Sequence, residues 1–210
     1  MGRTQRAGDS VTARLGRRRV DDGAGCSAHS ITFLACNKHL DAWMARSSGV
    51  DDYGLSAAHD IGRVLDWIRQ QPRVSSTALL GFSMGGTMAA LAAAEHERGE
   101  LAGLTVVSAP SDLITFYRDT AYEGVRRYLD ATLQTSQWRD SSPLTHAKYL
   151  VHPILIVTGT QDLMTPPEQG RQLAQAVPTS RLLELHGMGH HPSSQDWKRI
   201  LTESAQLFGL

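Results

Sequence analysis

The stretch Ser75-Ser-Thr77-Ala-Leu-Leu-Gly-Phe-Ser83-Met-Gly-Gly-Thr-Met-Ala-Ala90 decides how the rest of the chain is read. A short apolar run, Ala78 to Phe82, predicts a buried strand. It leads directly into Gly81-Phe-Ser83-Met-Gly85, a Gly-x-Ser-x-Gly pattern, and a helix of small residues follows at once. That strand–turn–helix order is the setting in which this pattern presents a serine on a very sharp turn. Such a turn holds its serine at an unfavourable φ, so that the hydroxyl projects above the sheet. Only small residues fit close to it, and Gly81 and Gly85 meet that need. Gly86, Ala89 and Ala90 would let the helix pack tightly on the sheet. The backbone N–H of Met84, at the helix N-terminus, would face an oxyanion developing on a carbonyl attacked by Ser83.

Working outward, the chain alternates strand and helix patterns. Ile31–Cys36 is the first strand candidate, and Leu55–Gln70 reads as a helix. In that helix Ile61, Val64, Leu65 and Ile68 recur at helical spacing, Trp67 broadens the apolar face and Pro72 closes it. Leu101–Ala109 is another apolar strand run, ended by Pro110, and Pro153–Gly159 is a continuous apolar run of the kind buried on both faces of a parallel sheet. Thr165 caps a helix opened by Pro166 that runs to about Val177. Ser180–Leu185 is a last strand. Gln195–Phe208 is a closing amphipathic helix with Trp197, Ile200, Leu201, Ala205 and Phe208 on one face. This alternation predicts an α/β fold, a mostly parallel sheet flanked by helices. Residues 111–148 break the alternation with two helical patterns, Asp112–Tyr117 and Tyr122–Leu133, and form a candidate cap.

In such a sheet, reactive groups sit on the loops at the carboxyl ends of strands. Thr160-Gln-Asp162 follows one strand and His186-Gly-Met-Gly-His190-His191 follows the next. A serine hydroxyl is a poor nucleophile until a base takes its proton, which a near-neutral imidazole does. The imidazole in turn needs a carboxylate to hold its tautomer. Ser83, Asp162 and His190 are the candidate catalytic residues, in the chain order of the α/β-hydrolase triad. His191 is the main rival for the base and His186 a lesser one. Asp162 also reads as an ordinary turn residue or helix cap.

Composition narrows the function classes. The 210 residues, 41% hydrophobic and 20% charged, suit one soluble globular domain, residues 31–210. Lys+Arg and Asp+Glu each number 21, so the formal net charge is zero, which argues against nucleic acid as a partner. No apolar run approaches a membrane span and no secretory signal pattern is present. The two cysteines, Cys26 and Cys36, make no disulfide framework, and no Cys/His spacing suggests a metal. A cytoplasmic setting is the expectation. Residues 1–30 are rich in Arg among Gly, Ser and Thr. They read as a disordered basic arm, with a transit-like peptide or a displaced natural N-terminus as the alternatives.

From about Gly49 onward the chain resembles the α/β-hydrolases of the dienelactone-hydrolase-like, serine-aminopeptidase-like and prolyl-oligopeptidase-like group. The matching pieces are Asp60-Ile-Gly-Arg-Val-Leu-Asp-Trp-Ile68, Gly-Phe-Ser83-Met-Gly-Gly, Ser142-Pro-Leu-Thr-His-Ala147, Ile154 to Asp162 with Pro166-Pro167, and Gly187-Met-Gly-His190. The resemblance implies an α/β-hydrolase fold with a small helical cap over the pocket. It also implies an acyl-enzyme mechanism without a cofactor and a small-molecule acyl substrate: an ester, thioester or small amide. Ser83 stands where dienelactone hydrolases proper carry Cys, so a lactone-specific assignment does not follow.

The region before Ser83 departs from the group. The family places several strands there, and a His-Gly-type loop after one of them donates a second oxyanion N–H. No His-Gly pair precedes Ser83, and the Asn37-Lys38-His39 turn is a weak substitute. Loss of one such donor costs about 10²–10³ in kcat. Two alternatives therefore stand beside a serine hydrolase: a truncated or weakly active hydrolase-fold binding module, and an acyltransferase using the same acyl-enzyme. Missing edge strands would also expose a sheet edge that favours pairing into a homo-oligomer.

Overall fold

The computed structural model describes residues 52–72 and 74–210, and the backbone of 30–36. The basic arm expected over 1–30 lies outside the described residues except for Ser30, and so does the Asn37–His39 turn.

Five strands, β1 (Ser30–Cys36), β2 (Val74–Phe82), β3 (Gly103–Val107), β4 (Ile154–Gly159) and β5 (Ser180–Leu185), form one sheet in the order β1-β2-β3-β4-β5. Every neighbouring pair is parallel. Parallel neighbours need crossover connections, and helices supply them. α1 (Leu55–Arg69) leads into β2, and α2 (Met84–Ala94) joins β2 to β3. α6 (Pro167–Ala176) joins β4 to β5, and α7 (Ser194–Phe208) closes the chain. Between β3 and β4 lie α3 (Leu113–Asp119), α4 (Glu123–Thr132), the single turn α5 (Gln137–Asp140) and a 3₁₀ helix over Pro143–Tyr149.

Successive strand residues feed opposite cores, as a period of two requires. Leu79, Leu104, Val106, Ile154 and Ile156 face a core built with Leu65 of α1, Met88 and Ala92 of α2, and Leu173 of α6. Leu80, Val107, Leu155, Val157 and Leu183 face the other side, where Ile200 of α7 is fully buried. Burial on both faces is why β3 and β4 read as unbroken apolar runs. α2 lies flat on the first face because its residues are small, and every position from Gly85 to Ala93 is buried. At Gly86 a β-carbon would come within 2.6 Å of the Ala109 Cβ and 3.3 Å of a Val106 methyl, so the helix axis approaches the sheet closer than any side chain allows.

Three local expectations are corrected. Trp67 is 63% exposed, because the apolar stripe of α1 is already filled by Ile61, Leu65 and Ile68. Leu201 of α7 points outward while its neighbour Ile200 is buried; the helix is set down by Phe208, whose ring occupies the space a Gly103 side chain would take. Thr165 does not cap α6: Pro166 holds the cap position, no side chain bonds there, and the Thr165 hydroxyl is buried with no partner. No helix among the described residues is long and apolar enough to cross a membrane.

Candidate active site

Ser83 stands between β2 and α2 at φ 53°, ψ −129°, a backbone conformation that L-residues other than glycine rarely adopt. Neighbouring structure forces it there. Its N–H donates to the Val107 carbonyl at 2.8 Å, continuing the β2–β3 ladder up to the turn. Its own carbonyl accepts from Gly86 N–H at 2.9 Å and starts the helix. The two events on one residue leave no room for a gradual turn. A β-carbon on Gly81 would lie 2.2 Å from the Gly85 carbonyl oxygen and 2.5 Å from the Gly86 Cα. Backbone meets backbone at that crossing, which accounts for the leading glycine of the pattern.

His190 lies on the loop between β5 and α7 and joins the two other residues. Its Nδ1 is 2.9 Å from Asp162 Oδ2 and its Nε2 is 3.0 Å from Ser83 Oγ. The carboxylate accepts only, so Nδ1 carries the proton and donates it to Asp162, leaving Nε2 to accept from the serine hydroxyl. The His190 and Asp162 side chains are 9% and 0% exposed, so the pair is largely withheld from bulk water.

Asp162 divides its two carboxylate oxygens between its own loop and His190. Oδ1 accepts from the backbone N–H groups of Met164 (2.9 Å) and Thr165 (2.8 Å), organising its own loop, while Oδ2 is left for His190. The two loops are laced together. Thr160 N–H donates to the Leu185 carbonyl (3.1 Å), Gln161 N–H to the Met188 carbonyl (3.0 Å) and Gly187 N–H to the Thr160 hydroxyl (3.0 Å). Histidine and carboxylate are therefore placed by adjacent strand ends sharing one set of bonds.

The rival histidines are elsewhere. His186 is exposed. His191 is exposed too, and packs edge-on to the His190 ring at 5.1 Å between centroids. Phe82, the x before the serine, backs both rings at 5.1 and 5.5 Å and rests on Trp197 at 6.0 Å. Its role was not legible beforehand, since an apolar residue at that point is also what a strand end requires.

Met84 opens α2, and the first N–H groups of a helix have no partner within it. Its side chain packs on a cluster formed by Tyr53, Leu113, Phe116, Leu129 and Leu133, so the insertion between β3 and β4 reaches the residue next to Ser83. The Tyr128 hydroxyl lies 3.7 Å from the Met84 sulfur. The insertion also touches the acid loop, where Ala121 N–H donates to the Leu163 carbonyl at 3.0 Å. Among the described residues, no three His, Cys, Asp or Glu side chains converge in a way that could hold a metal ion.

Comparison with known proteins fits this geometry. The prolyl oligopeptidase family matches residues 42–205, which contain the whole arrangement. The chain belongs to the prolyl oligopeptidase family. Its fold is also similar to several solved structures. A puromycin hydrolase superposes with a TM-score of 0.67 at 25% identity, over 77% of this chain and 26% of that one. An acylaminoacyl peptidase from Pyrococcus horikoshii gives 0.62 at 19% identity, over 75% and 28%. An acetyl xylan esterase from Paenibacillus sp. R4 gives 0.59 at 17%, over 72% and 52%. In sequence, BpoC of Mycobacterium tuberculosis, whose name proposes a non-heme bromoperoxidase, is 33% identical over 67 residues, 32% of this chain and 23% of its own. The chain thus spans about a quarter of the length of the puromycin hydrolase and of the acylaminoacyl peptidase.

Proposed function

We propose that this protein is a serine hydrolase that cleaves a small acyl substrate through an acyl-enzyme. The observation that carries the proposal is the pair of hydrogen bonds made by one imidazole, to Ser83 on one side and Asp162 on the other. His190 Nε2 takes the hydroxyl proton as Ser83 Oγ attacks the carbonyl carbon. Asp162 holds the proton on Nδ1 and stabilises the imidazolium that forms. The Met84 N–H stabilises the oxyanion. Collapse of the intermediate breaks the bond to the leaving group, which receives the proton from Nε2. Water then attacks the acyl-enzyme carbonyl with the same imidazole as base, and the acid and free Ser83 are regenerated.

Residues 111–148 are the cap of this site in the same reading, since their aromatic cluster reaches Met84. The names of the similar proteins cover peptidases and an esterase, so an acyl carbonyl is the shared feature proposed for the substrate. β1 contributes one further point. Cys36 at its carboxyl end is in register with Gly81, so the strand ends two residues short of the level of Ser83. A fluorophosphonate probe with a fluorescent tag tests the proposal. It should label the wild-type chain and leave Ser83→Ala unlabelled, and equal labelling of the two would refute it.

A further inference from the structure

A second buried polar arrangement lies outside these groups and is centred on Gln169 in the first turn of α6. The residue is 1% exposed. Its Oε1 accepts from two successive backbone N–H groups, Ser111 (2.9 Å) and Asp112 (3.0 Å), with the Ser111 hydroxyl at 3.3 Å. Its Nε2 donates to the Thr115 hydroxyl at 2.9 Å, and its main-chain carbonyl accepts from the Ser111 hydroxyl at 2.6 Å. Burying a primary amide is costly unless both its ends are bonded, and here both are.

The segment that Gln169 holds is the entry to the insertion. Four consecutive N–H groups, Ser111 to Ile114, are all met by side chains: the first two by Gln169, Leu113 by Ser142 Oγ (2.9 Å) and Ile114 by Asp112 Oδ1 (3.1 Å). Helix starts carry such orphan donors, and whatever accepts from them sets the direction of the helix. α3 is therefore aimed by a residue of α6, the helix that follows the Asp162 loop. α3 in turn carries Leu113 and Phe116 into the cluster on which Met84 packs.

We propose that Gln169 is a positioning residue that fixes the α3–α4 wall relative to Ser83 and so sets the site's tolerance for long acyl groups. This rests on the serine hydrolase reading. In this proposal a short acyl group meets only the groups around Ser83, whereas a long one extends past Met84 to the wall on which Met84 packs. The clamp thus acts on binding of long acyl chains and leaves the proton transfers of Ser83, His190 and Asp162 alone.

The test compares 4-nitrophenyl acetate with 4-nitrophenyl octanoate in Gln169→Met, Thr115→Val and Thr115→Ser, alongside fluorophosphonate labelling of the wild type. Gln169→Met leaves the Ser111 and Asp112 N–H groups without this acceptor and should raise KM for the octanoate about tenfold, with kcat within about twofold and the acetate unchanged. Thr115→Val should shift the same way by less, and Thr115→Ser, which keeps the hydroxyl, should match the wild type. Equal changes on both esters, a fall in kcat at constant KM, or Thr115→Ser behaving as Thr115→Val would overturn the inference. Should Gln169→Met fail to fold, the two Thr115 variants decide it. A labelled wild type without the ester split removes this inference alone, whereas an unlabelled wild type removes the hydrolase reading as well.

Discussion

Gly159, the last residue of β4, lies so close to Met188 that a β-carbon there would stand 2.3 Å from the Met188 carbonyl oxygen and 2.7 Å from that of Gly189. These are the two residues before His190. The carboxylate loop and the histidine loop thus meet backbone to backbone, and the glycine keeps Asp162 and His190 within bonding distance.

Gly159→Ala should therefore act on the site more than on the fold. The Met188–Gly189 backbone must retreat, carrying His190 with it. We expect a stability loss of about 1–3 kcal/mol. Activity toward short esters should fall on the order of 10²-fold, the usual scale for a displacement of about 1 Å. Urea midpoints and kcat/KM measured together separate the two effects, and a variant with full kcat/KM would contradict the expected coupling.

Asp162→Asn keeps the loop but reverses one bond. The amide oxygen still accepts from Met164 and Thr165, so the melting temperature should barely move. The amide NH₂ would face Nδ1 of His190 and hold the imidazole in the tautomer with its proton on Nε2, toward Ser83. The expected fall in kcat is about 10⁴-fold, read from ester turnover. A decrease of less than tenfold would show that Asp162 does not orient the base.

Gly81→Ala tests the turn itself. The three atoms nearest the added methyl are all backbone, and none of them can yield by rotating a side chain. Ser83 should lose its placement, so the chain unfolds at lower urea and labels slowly with fluorophosphonate. Wild-type labelling kinetics would show that the β2–α2 crossing is looser than the geometry requires.

His152, in the loop before β4, connects pH to stability. It is 1% exposed, its Nε2 lies 3.2 Å from the His96 carbonyl, and its Nδ1 is buried with no partner. Burial pushes its pKa below the ordinary value near 6.5; bonding to the His96 carbonyl opposes that and the His96 side chain adds to it. The unfolded chain therefore binds more protons than the folded one once pH drops below about 6.5. Stability is fully present above that value and declines with falling pH until the lowered folded pKa is passed. His152→Gln, which keeps a donor and does not titrate, should show a smaller drop in urea midpoint between about pH 7.5 and 5.5 than the wild type. Parallel curves for the two proteins would rule His152 out as the source.

Much of this architecture is legible in the amino-acid sequence. The apolar runs at 103–107 and 154–159 are strands because a sheet buried on both faces leaves no polar alternation to disguise them. The Gly-x-Ser-x-Gly turn was legible because the crossing at Gly81 excludes any side chain. Asp162 and His190 were findable because loops after parallel strands converge at one end of the sheet. The 3₁₀ helix over Pro143–Tyr149, the outward turn of Trp67 and Leu201, and the partnerless Thr165 hydroxyl were not. Each depends on what the rest of the protein places opposite it, and periodicity along one segment carries no record of that.

The sequence by itself determined the order of elements, the parallel sheet and the sharp turn at Ser83, since these follow from side-chain volume and the period of two or 3.6 residues along the chain. Only the tertiary structure decided which of three neighbouring histidines faces Ser83, that Phe82 backs it, and that Gln169 ties α6 to the insertion. Those are contacts between residues far apart in sequence, 58 positions between Ser111 and Gln169 and 107 between Ser83 and His190. Their distances are set by how strands register and how closely glycines let backbones approach, and both become defined only when the sheet is assembled.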